Sequence, residues 1–303
     1  MPDQPNGDVP AVILLAGSGP TDRNGDSALL PGSIGTLRFL ADVLARNGVA
    51  SLRYDKLGTG KTGIGPLRPE DITDLGFDTL IDEAADGVRF LAAQPGIDTA
   101  RIGAVGHSEG ALIALALANG KGGDIPTLSS LALVEPASVR ILDAMTRQIN
   151  GQIDAAVANG AMPKADGDAL STALAQAVTQ IRESGTVSTD LPQPLLNAGL
   201  VPGNAKALAD EDRLDPRELA ATLPVQLPVL TSCSDKDIHV SCDEVAGLDH
   251  ALAPTKLDSV HLTNADHVLK VVSEGPSTGA EYGQPLPFSP EFESALSTWL
   301  VSR

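Results

Sequence analysis

Short apolar blocks alternate with amphipathic stretches along most of the chain. Blocks rich in Val, Ile and Leu, bounded by turn residues, predict buried β-strands at residues 11–16, 49–54, 101–106 and 128–134. Between them, apolar residues spaced three or four positions apart predict helices over residues 37–44, 77–91 and 111–118. Strands that alternate with helices predict a mostly parallel sheet flanked by helices, the α/β class.

The alternation stops in the middle of the chain. Residues 138–227 contain no convincing strand, and stretches rich in Ala, Leu and Gln predict helices over residues 141–157 and 169–182. Strand–helix alternation resumes with strands at 228–233 and 256–262, and Ser289-Pro290 begins a last helix. We therefore predict a core of residues 1–137 and 228–303 that is interrupted by a helical insertion, residues 138–227.

The charge balance narrows the classes of partner. The 303 residues include 21 basic and 39 acidic side chains, for a formal net charge of −18. This excess repels phosphate, so we expect no nucleic-acid partner and no binding to anionic lipid. No uncharged apolar run has the length of a membrane helix, and the first residues lack the features of a secretory leader, so we expect no integral membrane segment and a cytoplasmic location.

The most informative motif lies between a predicted strand and a predicted helix. Residues 106–110 read Gly-His-Ser-Glu-Gly, which matches G-x-S-x-G in the strand–turn–helix context that this motif requires. Glycines permit a turn sharp enough to expose the serine hydroxyl, and the helix N-terminus behind it favours developing negative charge. A chance match at a tight turn is the alternative, but the context favours Ser108 as a nucleophile.

A serine nucleophile needs a base, and the base needs an orienting acid. His267 follows the last predicted strand, where the base is expected, and His239 is the weaker rival. For the acid we favour Asp237 over Asp235, with Glu135 third, although each carboxylate could instead cap a helix. Strand alternation predicts that His107 faces into the sheet, and His250 and His261 are interpreted as surface or packed residues.

The glycine loop after the first strand supplies a candidate oxyanion site. Gly17-Ser18-Gly19 lies where a backbone N–H completes an oxyanion hole. We predict that the N–H groups of Ser18 and Glu109 are the two donors. A simple tight turn is the alternative interpretation.

These residues together resemble the α/β-hydrolase superfamily, and within it bacterial serine esterases related to the serine aminopeptidase-like group. The resemblance implies the α/β-hydrolase fold, a Ser108–His267–Asp237 triad, and an insertion that acts as a cap over the site. Two positions depart from the pattern: Ala16 stands where many members have His, and Ser234 where Gly is usual. The similarity extends over residues 17–23, 53–60, 106–110, 237, 266–270 and 282–285.

We expect two further motifs to bind neither a cofactor nor a metal. Residues 55–62 nearly match a phosphate-binding P-loop, but Asp55 replaces its first glycine, so we predict no nucleotide site. Cys233 and Cys242 flank the candidate acid, and we expect them to be unpaired. The neighbouring side chains have no recognised metal-ligand spacing, so we expect no metal.

All eight aromatic residues lie outside residues 138–227, so an aliphatic pocket is expected there. We therefore predict a hydrolase for esters of short to medium aliphatic acyl groups, acting on a small-molecule substrate. Alternatives are an amidase, aminopeptidase-like or thioester hydrolase with the same triad, and a non-catalytic binding protein. Acidic residues 210–212 could recognise a substrate amine, or form a solvated charge run.

Overall fold

The computed structural model describes residues 1–2, 7–68, 71 and 75–302, and these residues form two compact units. The first unit contains Met1–Gly65, Leu80–Ser138 and Pro216–Arg303. The second contains Pro66–Thr79 and Val139–Asp215. The division differs from the sequence-based one, because residues 216–227 belong to the first unit and residues 66–79 belong to the second.

One six-stranded sheet forms the centre of the first unit. Its strand order is β2-β1-β3-β4-β5-β6, and every pairing is parallel. The predicted parallel α/β sheet is therefore confirmed, and the carboxyl ends of all strands lie along one edge. The strands are β1 Val9–Leu15, β2 Ala50–Arg53, β3 Ile97–His107, β4 Leu131–Val134, β5 Pro228–Ser234 and β6 Lys256–Leu262.

Ten helices occur among the described residues. They are α1 Thr36–Arg46, α2 Asp78–Ala92, α3 Glu109–Ala118, α4 Ile141–Ala158, α5 Lys164–Ser184, α6 Gln193–Asn197, α7 Pro202–Asp212, α8 Pro216–Ala221, α9 Cys242–Leu252 and α10 Pro290–Val301. As predicted, Ser289 caps α10 by accepting the N–H of Phe292. No helix in the described ranges combines the length and the apolarity needed to cross a bilayer.

The sheet of the first unit is covered by apolar side chains. Leu40 and Leu44 of α1 pack in one cluster with Leu296 and Trp299 of α10 and with alternate strand residues such as Val105. Burying each large apolar side chain stabilises the unit by about 1.5–3 kcal/mol. This cluster holds the strands in register, and hence the loops at their carboxyl ends.

The second unit is helical, with an aliphatic core and a buried ion-pair network around Asp212. Its apolar cluster contains no aromatic residue, although Phe77, which is buried, belongs to the unit. The Asp212 side chain is 1% exposed and pairs with Arg140 at 2.7 Å and Arg182 at 2.8 Å. It also accepts the N–H of Leu142 at 3.0 Å. The interpretation of residues 210–212 as a solvated charge run is therefore wrong for Asp212.

Candidate active site

Ser108 occupies a sharp turn between β3 and α3. Its backbone has φ 54° and ψ −119°, a conformation that non-glycine residues rarely adopt and that is costly to hold. Its N–H donates to the carbonyl of Val134 at 2.9 Å. Ser108 is the N-cap residue of α3, yet its side chain makes no capping bond. The hydroxyl is therefore not committed to the helix.

Glycines make this turn possible by allowing close backbone approach. A Cβ on Gly106 would lie 2.1 Å from the carbonyl oxygen of Gly110, and one on Gly110 would lie 2.3 Å from that of Leu15. A Cβ on Gly17 would lie 3.4 Å from the Cβ of Ser108. The loop after β1 therefore packs directly against the serine, which is where sequence analysis places the oxyanion donors.

Asp237 and His267 meet at the carboxyl ends of β5 and β6. Asp237 Oδ2 lies 2.7 Å from His267 Nδ1, and the two side chains are 0% and 9% exposed. The other oxygen, Oδ1, accepts the backbone N–H groups of His239 at 2.7 Å and Val240 at 3.0 Å. Burial alone would raise the pKa of Asp237, but the His267 ring and these N–H groups outweigh it and lower the pKa. An ionised Asp237 holds the proton of His267 on Nδ1 and leaves Nε2 free to accept one.

The buried ring of His107 supports the His267 loop. Its Nε2 lies 2.7 Å from the carbonyl oxygen of His267, and the two rings are 4.9 Å apart. Burial, with a smaller contribution from His267, lowers the pKa of His107 to about 3. The ring is therefore neutral, and its Nε2–H donates to that carbonyl.

Two buried charged residues next to His267 hold its loop in place. Asp266 Oδ1 accepts the N–H groups of Val268 at 3.0 Å and Lys270 at 2.8 Å. The other oxygen, Oδ2, has no hydrogen-bond partner among the described residues, and burial raises the pKa of Asp266 to about 6. The buried Lys270 ammonium donates to three carbonyl oxygens, those of Ser33 at 2.9 Å, Gln284 at 2.6 Å and Tyr282 at 2.5 Å.

Lys56 connects the two segments that carry the candidate oxyanion donors. It is buried, donates to the carbonyl of Gly17 at 2.7 Å and lies 3.4 Å from Glu109 Oε1. Within the described part of the chain, neither the N–H of Ser18 nor that of Glu109 meets a protein acceptor. Sequence analysis assigned no role to Lys56 or Lys270, because a lone Lys carries no pattern that indicates burial.

In the segment that resembles a P-loop, the carboxylate of Asp55 binds groups of the protein itself. Asp55 forms a two-point ion pair with Arg23 and accepts the N–H of Lys61 at 2.8 Å. The Arg23 guanidinium, with these N–H groups, holds the pKa of Asp55 well below its usual range. A Cβ on Gly60 would lie 2.3 Å from the carboxyl carbon of Asp55. Asp55 therefore occupies the N–H of Lys61, and the N–H groups of Leu57 and Gly58 donate to Glu83 and to the carbonyl of Gly63.

The rival candidates lie close to the site but are engaged differently. Asp235 pairs with His261 at 2.6 Å, and both side chains are exposed. The ring of His239 contacts that of His267 edge-on at 4.9 Å, and His250 is exposed on α9. In the described chain no hydrogen bond joins the Ser108 hydroxyl to His267. Such bonds are often long in resting hydrolases and shorten when substrate binds.

Cys233 and Cys242 form a disulfide, with their Cα atoms 5.2 Å apart. The expectation that they are unpaired is therefore wrong. The bond joins the end of β5 to the start of α9, and so brackets the loop that carries Asp237. Both sulfurs also belong, with His261, to the group of potential metal ligands found among the described residues. The disulfide occupies both sulfurs, so this group does not fit a metal ion.

Known proteins share this architecture. The chain resembles the esterase Pf2001 of Pyrococcus furiosus at 17% identity and TM-score 0.55, over 98% of this chain and 83% of that one. It resembles Est1E of Butyrivibrio proteoclasticus with bound ferulic acid at 16% identity and TM-score 0.54, over 100% and 92%. DcsB in complex with its substrate analogue gives 16% identity and TM-score 0.55, over 98% and 91%. At these identities the likeness shows the fold alone.

No curated protein is similar enough in sequence to count as a match. The sequence profile described as the alpha/beta hydrolase family, however, matches residues 12–274. That range includes the serine turn and the loops that carry Asp237 and His267. It also includes every strand, apart from the first residues of β1. Profile, sheet and structural relatives agree with the resemblance drawn from the sequence: the chain belongs to the alpha/beta hydrolase family.

Proposed function

We propose that the protein is a serine hydrolase of carboxylic esters. The observation that carries the proposal is the buried Asp237–His267 hydrogen bond, at the same edge of the sheet as a serine in a strained turn with an uncommitted hydroxyl. This arrangement suits a nucleophile, a base and an orienting acid. A binding protein on this fold would have no use for such strain, which costs about 1–3 kcal/mol.

The proposed reaction runs through an acyl-enzyme. Ser108 Oγ attacks the ester carbonyl carbon while His267 Nε2 takes its proton. The tetrahedral intermediate collapses, and His267 returns the proton to the leaving alcohol. Water, deprotonated by the same imidazole, then attacks the acyl carbon and releases the acid and Ser108. Throughout, Asp237 holds His267 in the productive tautomer and stabilises the imidazolium.

The backbone N–H groups of Ser18 and Glu109 are the proposed oxyanion donors. Their lack of protein acceptors in the described chain supports this role, because a developing oxyanion would supply one. Lys56 fastens the Gly17 carbonyl and approaches the Glu109 side chain, so it fixes the spacing of the two donors. A preorganised donor pair of this kind contributes about 3–4 kcal/mol per donor to transition-state stabilisation.

We propose esters of short to medium aliphatic acids as substrates. Support comes from the sequence, since residues 138–227, which the family resemblance implies to be a cap, contain no aromatic residue for stacking. Est1E, in contrast, binds ferulic acid, an aromatic acid. A panel of p-nitrophenyl acetate, butyrate, hexanoate and benzoate should give the highest kcat/KM with an aliphatic member. Equal or faster turnover of benzoate contradicts this preference without touching the triad.

An aminopeptidase-like activity gains no support from the second unit. The acidic residues that could bind a substrate amine are engaged, with Asp212 held by two arginines and Asp210 paired with Lys206 and Arg213. Thioester hydrolysis uses the same groups, and acyl-thioester and aminoacyl-amide substrates in the panel separate these reactions. The cytoplasmic location stays a prediction, and the disulfide favours an oxidising compartment instead.

Ser108→Ala should lower ester turnover at least about a thousandfold, because it removes the nucleophile. It should also abolish labelling by a fluorophosphonate probe, whereas Ser294→Ala, at an exposed serine of α10, should label and turn over like the wild type. Labelling of Ser108→Ala at another residue would refute the assignment. Equal turnover by the two variants would refute it as well.

A further inference from the structure

Glu135 is a buried carboxyl that the proposed reaction does not use. It directly follows β4, has φ 43°, and is 0% exposed. Its Oε1 lies 3.0 Å from Ser232 Oγ, which donates to it, and its own N–H donates to the same hydroxyl at 3.1 Å. Its Oε2 is buried and has no hydrogen-bond donor among the described residues. A strained backbone and an unpartnered buried oxygen are both costly, and both mark functional positions.

Besides Ser232, the Glu135 carboxyl interacts with the side chain of Asp237. The two carboxyl groups lie within hydrogen-bonding reach of each other, and the Asp237 side chain is completely buried. Two buried carboxylates in contact cannot both be ionised, since neither offers a hydrogen to the other and their charges repel. One of them must therefore carry a proton, which then bridges the pair.

The surrounding donors decide which carboxyl holds that proton. Asp237 accepts three N–H groups, two from the backbone and one from His267. Glu135 accepts only one hydroxyl, that of Ser232. Charge is best retained where more donors converge, so Asp237 is the ionised member. In agreement, burial and the Asp237 charge raise the pKa of Glu135 well above its usual value.

We propose that Glu135 is a positioning residue of the site: a neutral carboxylic acid whose Oε2–H donates to Asp237 and holds it against His267. This inference rests on the proposed function. The added donor satisfies the orphaned Oε2 and gives Asp237 four hydrogen-bond donors in place of three. It also withdraws charge from the Asp237 carboxylate, so that Asp237 stabilises the His267 imidazolium less strongly than an unshared carboxylate would.

Other titratable groups face this pair and remain unchanged in the variants below. Asp266 adds negative charge near Glu135, and Tyr282 lies near Asp237. His107 and His239 contact the ring of His267. Comparing variants of Glu135 alone therefore cancels their contribution to any pH profile.

Glu135→Gln and Glu135→Met test whether Glu135 is a neutral hydrogen-bond donor, an ionised carboxylate or a purely structural residue. The Gln amide donates to Asp237 and accepts from Ser232, so the acid limb of kcat/KM against pH should stay within about 0.3 pH of wild type. Met fills similar space without a donor. We expect it to raise that limb by about half a pH unit or more, because a less shared Asp237 makes His267 more basic, and to lower kcat about tenfold.

Two outcomes would overturn the proposal. If Glu135 is ionised in the wild type, Glu135→Gln removes a negative charge and shifts the acid limb clearly downward. If Glu135 is only structural, Glu135→Met lowers the free energy of unfolding but leaves the limb unmoved.

Infrared spectroscopy tests the proton without relying on turnover. At pH 8 the wild type should show the carbonyl stretch of a protonated carboxylic acid, and Glu135→Gln should lack that band. Absence of the band in the wild type contradicts the inference even if ester hydrolysis is found. Its presence in a protein without ester turnover or fluorophosphonate labelling supports a shared proton and refutes the proposed function instead.

Discussion

The second unit and the loops after β5 and β6 of the first unit treat buried carboxylates in opposite ways. In the second unit, Asp212 is nearly inaccessible and is compensated by Arg140 and Arg182, two full positive charges. In the first unit, Asp237 and Asp266 are just as buried, and no arginine or lysine among the described residues forms an ion pair with either. Their partners are backbone N–H groups and, for Asp237, a histidine.

The difference distinguishes a carboxylate that only stabilises the fold from one that is suited to proton transfer. An arginine beside an aspartate keeps both ionised at every working pH, which suits a residue that only joins helices. A carboxylate held by N–H groups and a histidine keeps a pKa that its neighbours can move, which suits proton transfer. In the proposed reaction, the loops after β5 and β6 are therefore the part of the chain where protons move.

Removing the compensated charge should have the largest effect on stability. Asp212→Asn keeps the shape but leaves Arg140 and Arg182 without an anion, so we expect a loss of about 3–4 kcal/mol in the free energy of unfolding. Chemical denaturation measures it. The control is Glu293→Gln, which breaks an exposed ion pair with Arg46 and should cost within about 0.5 kcal/mol. Equal losses in the two variants would remove the distinction between buried and exposed pairs.

Asp266→Asn tests a buried carboxylate that has no arginine or lysine partner among the described residues. The raised pKa of Asp266, about 6, means that its contribution to stability is full below about pH 4 and is lost as the pH rises through 6. Asn accepts the same two N–H groups and does not ionise. Between pH 4 and pH 7 the variant should therefore gain about 2–3 kcal/mol relative to wild type. If the free energies of unfolding of the variant and the wild type differ by the same amount at every pH in this range, ionisation of Asp266 does not destabilise the fold.

The disulfide provides the smallest of these effects on stability. Replacing both Cys233 and Cys242 with Ser should cost about 2 kcal/mol, because the closed loop is short and the effect grows with loop length. Since the bond brackets Asp237, we also expect kcat to fall. Dithiothreitol should reproduce both changes in the wild type and do nothing to the double variant. An unaltered kcat in either experiment would show that the acid loop holds its position without the bond.

The sequence predicted the sheet well because its signal is local. Apolar blocks mark strands that are buried on both faces, and each predicted strand has a counterpart. β3 nevertheless begins at Ile97, four residues before the predicted start, because residues 98–100 are not buried and carry no apolar signal. The serine turn was equally readable, since G-x-S-x-G lies within five consecutive residues.

The contacts around the candidate site could not be predicted from the sequence in the same way. Lys270 and Asp212 are charged residues that composition assigns to the surface, and only distant segments satisfy them once they are buried. The contact of Glu135 with Asp237 joins positions about a hundred residues apart. The pairing of Cys233 with Cys242 likewise depends on how a strand end meets a helix start. Such contacts belong to the folded geometry, and no spacing rule encodes them.

The helix behind the serine is buried along its length, with Gly110 to Leu117 inaccessible on every side. Dissolved ions cannot approach its flanks, so its dipole reaches Ser108 through protein alone. Salt weakens interactions that run through water, with a screening length of about 8 Å at physiological ionic strength. The field that favours negative charge at Ser108, the proposed nucleophile, therefore acts through the protein interior, where dissolved salt does not screen it.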